Sequence, residues 1–198
     1  MFTGIVEKKA KIKKSELKDG LLIISLDLPK SMTTKLGDSV SISGCCLTVY
    51  KKSGNSVSFQ IMKETMDKTI FGKKIPKEIN VELAMKLSDR LGGHIVSGHI
   101  DTIGVIEKVE DKDNEKYITI KFPKKFSDFV IKKGSVTIDG VSLTIAKCTI
   151  DSLSVALIPH TLKTTTLNSL RKGDCVNIEF DIVSKHIVNL IKKTKNEK

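Results

Sequence analysis

Tryptophan is absent from the 198 residues, and two tyrosines with seven phenylalanines leave aromatics at 5%. Platforms on which single-stranded bases stack are therefore scarce. Arginine is nearly as rare. Arg90 and Arg171 are its two occurrences, so the net charge of +11 is carried by lysine. Surfaces that read bases or clamp phosphates favour the planar arginine fork over the lysine point charge. The lysines are also scattered among polar positions. They read as a solvated surface, with no nucleic-acid partner expected. No apolar run approaches the roughly 20 residues of a membrane helix. The opening Met1-Phe2-Thr3-Gly4-Ile5-Val6-Glu7 has no basic leader followed by an apolar stretch. A cytoplasmic protein that makes no use of a membrane is the expectation. Cysteine is limited to Cys45, Cys46, Cys148 and Cys175. Adjacent cysteines make poor disulfide geometry, and no Cys/His spacing fits zinc, so reduced thiols and no metal are expected.

What is present is a repeat. Ser39-Val40-Ser41-Ile42-Ser43-Gly44-Cys45-Cys46-Leu47-Thr48-Val49 recurs 96 residues later as Ser135-Val136-Thr137-Ile138-Asp139-Gly140-Val141-Ser142-Leu143-Thr144-Ile145. The same offset joins Glu64-Thr65 to His160-Thr161 and Thr69 to Thr165. Asn80-Val81-Glu82 matches Asn177-Ile178-Glu179, and Thr3-Gly4-Ile5-Val6-Glu7 matches Ser97-Gly98-His99-Ile100-Asp101, each displaced by a residue or two, as loops allow. The chain is read as two copies of one domain, 1–94 and 95–185, followed by a tail over 186–198.

Each copy is built of short alternating segments. Val40 and Ile42 face one way while Ser39, Ser41 and Ser43 face the other; Val57, Phe59 and Ile61 alternate, as do Ile118, Ile120 and Phe122. Period-2 runs broken by Gly44, Gly54 and Gly140 mark antiparallel strands, and several of them in about 90 residues fit a small closed barrel. Short helices are predicted over 84–91, ending at Gly92-Gly93, over 126–132 and over 161–170. From Ser184 an apolar stripe at helical spacing (Ile187, Val188, Leu190, Ile191) predicts a last helix. A lone helix of that length needs something to pack on, and a second subunit would serve.

Chemistry is sought where the copies differ. Cys46 stands opposite Ser142, Ser43 opposite Asp139, Glu64 opposite His160 and Ile5 opposite His99. A thiol marks one copy and a carboxylate the other, and the thiol is the better nucleophile. Read singly, Cys46 fits a small buried hydrophobe, Asp139 a turn residue, and His94 a hydrogen-bonding group without a third ligand that would make a metal site.

Taken in order, Met1–Glu7, Gly44–Val49, Gly92–Asp101, Asp139–Thr144, Ile158–Leu162 and Asn177–Glu179 resemble riboflavin synthase over essentially the whole chain. The resemblance implies an all-β fold: two tandem six-stranded antiparallel Greek-key barrels with short helices and a C-terminal helix that assembles a homotrimer. It implies dismutation of two molecules of 6,7-dimethyl-8-ribityllumazine, with no metal, flavin or nicotinamide cofactor, at sites between barrels of neighbouring subunits. Enclosure by a lumazine synthase shell is left open. Carried over position by position, a first pocket uses Gly4, Ile5 and Val6 with Cys46, Leu47 and Thr48, closed by Gln60, Ile61, Met62, Lys63, Glu64 and Thr65. A second uses Gly98, His99 and Ile100 with Lys133, Ser142, Leu143 and Thr144, and Leu157, Ile158, Pro159, His160, Thr161 and Leu162. His99 and Thr48 are expected to assist proton transfer, Cys46 and Ser39 to lie near the nucleophilic step with Ser142 as the thiol's counterpart, and Asp139 to orient or exchange protons at the other pocket. Two other classes stay open: a non-catalytic lumazine- or flavin-binding protein on the same fold, and a nucleic-acid-binding barrel.

Overall fold

The computed structural model describes residues 1–112 and 115–196. Alternation becomes strand in both halves. The first half contains β1 (Lys8–Lys18), β2 (Leu21–Asp27), β3 (Ser39–Ile42), β4 (Cys45–Ser53), β5 (Ser56–Ile61) and β6 (Glu78–Leu83). The second contains β7 (Thr102–Lys112), β8 (Glu115–Lys121), β9 (Ser135–Ile138), β10 (Val141–Cys148), β11 (Ser152–Leu157) and β12 (Cys175–Phe180). Each set closes on itself, in the order β1-β2-β5-β4-β3-β6 and its counterpart β7-β8-β11-β10-β9-β12, with every pairing antiparallel. Non-sequential neighbours such as β2–β5 and β3–β6 are the Greek-key crossovers. Closure leaves no unpaired strand edge, and each barrel encloses its own apolar core.

Both β3–β4 and β9–β10 are hairpins with two-residue turns. Ser43-Gly44 and Asp139-Gly140 have positive φ at both positions (45° and 83°; 45° and 81°), the signature of the turn whose twist matches that of the strands. These turns meet. A Cβ on Gly44 would lie 2.7 Å from the backbone N of Gly140, and the reverse distance is the same, so a side chain at either position would collide with backbone.

The outward face of β3 is not solvated as its alternation predicts. Val40 and Ile42 are buried inside the barrel, but Ser41 and Ser43 are buried as well, because the other barrel covers them. That interface is polar and reciprocal. The Asn80 side chain donates to the Asp139 carbonyl at 2.9 Å, and that of Asn177 donates to the Ser43 carbonyl at 2.8 Å. Asn177 Oδ1 accepts from the Ile70 amide and Asn80 Oδ1 from the Thr166 amide, both at 2.8 Å. The leading segments are also tied down in parallel fashion. Glu82 accepts from the amides of Thr3 and Gly4, and Glu179 from those of Ser97 and Gly98.

Helices are fewer than predicted. α1 (Lys63–Lys68) and α2 (Pro159–Thr164) are equivalent single turns and a half, each followed by a 3-10 turn, so the segment 161–170 is not one helix. The segment 126–132 is instead a 3-10 turn, Lys124–Phe129. Residues 84–91 form no helix at all. Met85 N–H pairs with the Met1 carbonyl, and the Asp89 carboxylate accepts from Lys86 N–H to close a local turn, so the backbone is committed elsewhere. α3 spans Ile182–Asn196, starting earlier than predicted. Asp101, from the second leading segment, fastens its first turn by bonding Lys185 Nζ at 2.8 Å while accepting from the Phe180 amide. Val183, Ile187, Leu190 and Ile191 remain exposed on it.

Candidate active site

The β3–β4 and β9–β10 hairpins set the site by their registers. Ser39 pairs with Thr48 and Ser41 with Cys46, while Val40–Leu47 and Ile42–Cys45 pairs point into the core. On β9–β10, Ser135 pairs with Thr144 and Thr137 with Ser142. Each barrel thus carries four small polar side chains on one patch of its outer wall. Cys45 faces inward, where burial pushes its thiol up to about 12 and keeps it protonated. Cys46 faces outward and is half-buried.

The leading segments then cross over. Gly98 packs on Cys46, where an added Cβ would approach the Cys46 Cβ to 2.5 Å, and the Cys46 amide donates to the Gly98 carbonyl at 2.8 Å. Reciprocally, Gly4 packs on Ser142, whose amide donates to the Gly4 carbonyl at 2.7 Å. The expected grouping is therefore corrected. Gly98, His99 and Ile100 belong with Cys46 in the first barrel, and Gly4, Ile5 and Val6 with Ser142 in the second. The close approach of backbone across each Gly is what admits the exchange.

A cavity of about 230 Å³ opens beside Cys46, lined by Cys45, Cys46, Glu64, Thr65, Lys68, Thr69, Gly98, His99 and Ile100. It gathers Cys46, Glu64, Thr65, Gly98, His99 and Ile100 from the expected set and adds Cys45, Lys68 and Thr69. Ser39 is half-buried and Thr48 exposed on the same wall, beyond this cavity. At the second barrel, His94 Nδ1 lies 2.7 Å from Ser142 Oγ and its Nε2 lies 3.2 Å from Thr137 Oγ1. Burial lowers the His94 pKa, so the ring is neutral near pH 7. Thr144, Ile158, Pro159 and His160 are exposed, Thr161, Leu162 and Leu143 are half-buried, and Lys133 sits exposed at φ 68° in the turn before β9.

Other expected residues lie away from this cavity. The side chains of Leu47 and Ile61 lie in the first core, and those of Val6 and Leu157 in the second, so none reaches the outer wall. Gln60, Met62 and Lys63 are exposed and do not line the cavity. Asp139 does not join the second pocket either. Its carboxylate, bonded by the Asn177 amide at 2.8 Å, lines a separate groove of about 630 Å³ between the barrels. Burial pushes its pKa up to about 7. A larger groove of about 740 Å³, along Glu107–Asp111 and Asn168–Lys172, holds none of the residues that the repeat singles out. Size is thus a poorer guide than the chemistry converging at Cys46.

Sequence reasoning missed Lys68, Thr69 and the contact of His94 with Ser142. It also treated Glu82 and Glu179 only as repeat markers. The Asn-Val-Glu and Asn-Ile-Glu matches were the available signal, since a carboxylate held in register beside Gly-rich leading segments suits capture of two adjacent amides.

Comparison with known proteins identifies the family of the two barrels. The lumazine binding domain model matches residues 3–84 and again 97–181. Riboflavin synthase of Actinobacillus pleuropneumoniae is 40% identical over 200 residues, spanning 100% of this chain and 93% of that one. The enzyme of Escherichia coli (strain K12) is 40% identical over 197 residues, 98% of this chain and 92% of its own. Among solved structures, LumP complexed with 6,7-dimethyl-8-(1'-D-ribityl) lumazine superposes with a TM-score of 0.82 at 26% identity, covering 91% of this chain and 99% of that chain. LumP complexed with riboflavin gives 0.84 at 27% identity over the same shares. The chain belongs to the riboflavin synthase family, with two lumazine binding domains in tandem.

Proposed function

We propose that the protein converts two molecules of 6,7-dimethyl-8-ribityllumazine into riboflavin and 5-amino-6-ribitylaminouracil, one molecule giving a four-carbon unit to the other. The observation that carries this reading is end-to-end similarity to riboflavin synthases in a chain whose two barrels both keep a polar outer wall against a Gly-rich leading segment. Two identical substrates need two similar, unequal pockets, and the repeat supplies them: Cys46 with His99 in one, Ser142 with His94 in the other.

Backbone groups along the strand edges and the Thr48 and Thr144 hydroxyls are suited to bond the flat pyrimidinedione. In this reading His99 takes or returns a proton, and Cys46, with Ser39 further along the same wall, assists nucleophilic attack at the ring. The rate comes chiefly from holding two rings face to face. The cavity at Cys46, about 230 Å³, falls below the roughly 300–1,000 Å³ that enclose a small ligand. Half a site is the natural reading. The rest comes from a neighbouring subunit in a homotrimer assembled through the exposed apolar stripe of α3. The enzyme works in the cytoplasm, without a cofactor.

A second reading is favoured by the likeness to LumP: binding of lumazine or riboflavin without turnover. Incubation with 6,7-dimethyl-8-ribityllumazine alone separates the two. Riboflavin appearing at half the rate of lumazine loss supports the enzyme. Tight binding with no product establishes the second reading instead.

A further inference from the structure

The two pockets differ in charge at two places on equivalent helices: Glu64 of α1 stands opposite His160 of α2, and Lys68 opposite Thr164. Lys68 lines the cavity with Cys46 and His99, and its counterpart in the repeat is Thr164, whose hydroxyl is turned back onto the His160 carbonyl at 2.9 Å. The other charged and titratable groups around Lys68 are few. Lys63 and Asp67 of α1 pair with each other across 4.0 Å. Cys45 stays protonated, and Cys46 and His99 complete the lining. Glu64, one turn back on α1, holds Lys68 Nζ at 2.7 Å, and the ammonium keeps that carboxyl below the usual range. Both side chains are more than half exposed, at 56% and 72%. Exposed pairs of this kind contribute very little, so Lys68 can leave Glu64 for a better anion at almost no cost.

The substrate of the proposed reaction offers such an anion. Loss of a proton from the C7 methyl to solvent leaves an electron pair delocalised across the fused ring to the pyrimidinedione oxygens. A cation a few ångströms from a partly desolvated anion lowers its pKa by about one to three units. We infer that Lys68 turns from Glu64 onto the bound ring and makes the N-terminal barrel the pocket in which the lumazine is ionised first, while the C-terminal barrel, with Thr164 in that place, holds its ring neutral. This inference rests on the lumazine-binding reading above and assigns each barrel a different part in it.

The test is a spectrophotometric pH titration of 6,7-dimethyl-8-ribityllumazine bound to the whole protein. For Lys68→Met the ionisation midpoint of the more acidic bound ring is expected to rise by about one unit, which is tenfold less anion at a given pH. Glu64→Gln, which removes the carboxylate charge that opposes the ammonium beside the ring, is expected to move it down, and Lys68→Arg to restore it. In steady state Lys68→Met loses about tenfold in kcat at pH 7, with KM within about threefold and the rising limb of the pH profile displaced by the same unit. A merely structural Lys68 would leave both pH curves where they are. An unchanged midpoint in Lys68→Met and Glu64→Gln overturns the inference. Failure of the wild type to form riboflavin overturns the enzymatic reading instead, and the titration of the bound ring still decides the role of Lys68.

Discussion

Asp139 is the residue whose position changes its meaning. Its sequence context, Ile138-Asp139-Gly140, fits both a turn and a proton shuttle, and the structure makes it a turn residue whose carboxyl is buried where the barrels meet. Its pKa is raised from 3.8 to about 7 by desolvation, against a smaller opposing pull from the Asn177 amide. A carboxyl with a raised folded-state pKa binds its proton more tightly when folded. Its contribution to stability is fully present below about pH 4 and is lost as pH rises through about 7. At about 1.4 kcal/mol per unit, ionisation of this one group costs on the order of 4 kcal/mol at most. Asp139→Asn keeps an oxygen for the Asn177 amide and cannot ionise. Thermal melts of the variant should therefore exceed the wild type at pH 8 and lose that advantage below pH 5. A melting curve with the same pH dependence in both proteins would remove the carboxyl from this account. Cys46 belongs to the same scale. Because most of the acceleration is attributed to holding the rings together, Cys46→Ser should slow riboflavin formation about tenfold rather than abolish it. A folded, lumazine-binding Cys46→Ser protein with no turnover would contradict that.

At the scale of elements, strands, hairpins and the C-terminal helix were legible, and the short helices within the barrels were not. Ser39–Ile42 and Ser135–Ile138 alternate with β-branched residues, and Ser43-Gly44 and Asp139-Gly140 have the chemistry of their turn, so local preference and tertiary structure agree. Residues 84–91 have apolar residues near helical spacing, yet Leu87 is fully exposed and the Met85 amide is bonded to Met1. Nothing local could announce that partner. The burial of Ser41, Asn80, Thr137 and Asn177 was equally hidden, because polar residues alternating outward read as solvated until a second barrel covers them. Their pairing makes the interface exacting. Asn177→Ala would strand the Ile70 amide and the Ser43 carbonyl, each buried and each costing about 1–3 kcal/mol unpaired. Chemical denaturation should show a loss of about 2–5 kcal/mol. Loss below 1 kcal/mol would mean that water fills the gap and that the network contributes little.

At the scale of the molecule, a repeat alignment shows which residues are equivalent but not which copy they pack on. That is why Gly98–Ile100 were assigned to the second pocket and are found on the first, with Val6 in the second core and Ile100 packed against the first. Neither barrel completes its own wall, and the exchange joins the two halves within one chain. Whether one reaction also joins two chains is decided by complementation. If the paired pockets come from neighbouring subunits, a chain disabled at the first pocket (Cys46→Ala with His99→Ala) still offers an intact second pocket to a neighbour disabled only at Ser142 and Thr144. Unfolding and reassembling the two inactive proteins together at equal ratio should then restore activity. Random assembly makes about one interface in four fully intact, so about a quarter of the wild-type rate is expected. If both pockets of a reaction came from one chain, every reaction centre in the mixture would keep a defect and no activity would return. Removing α3 from Ile187 onward, which takes away the exposed Ile187, Leu190 and Ile191 of the proposed subunit contact, should abolish the rescue together with the assembly. Rescue that survives this truncation would move the subunit contact away from α3 while leaving the pairing of pockets across chains in place.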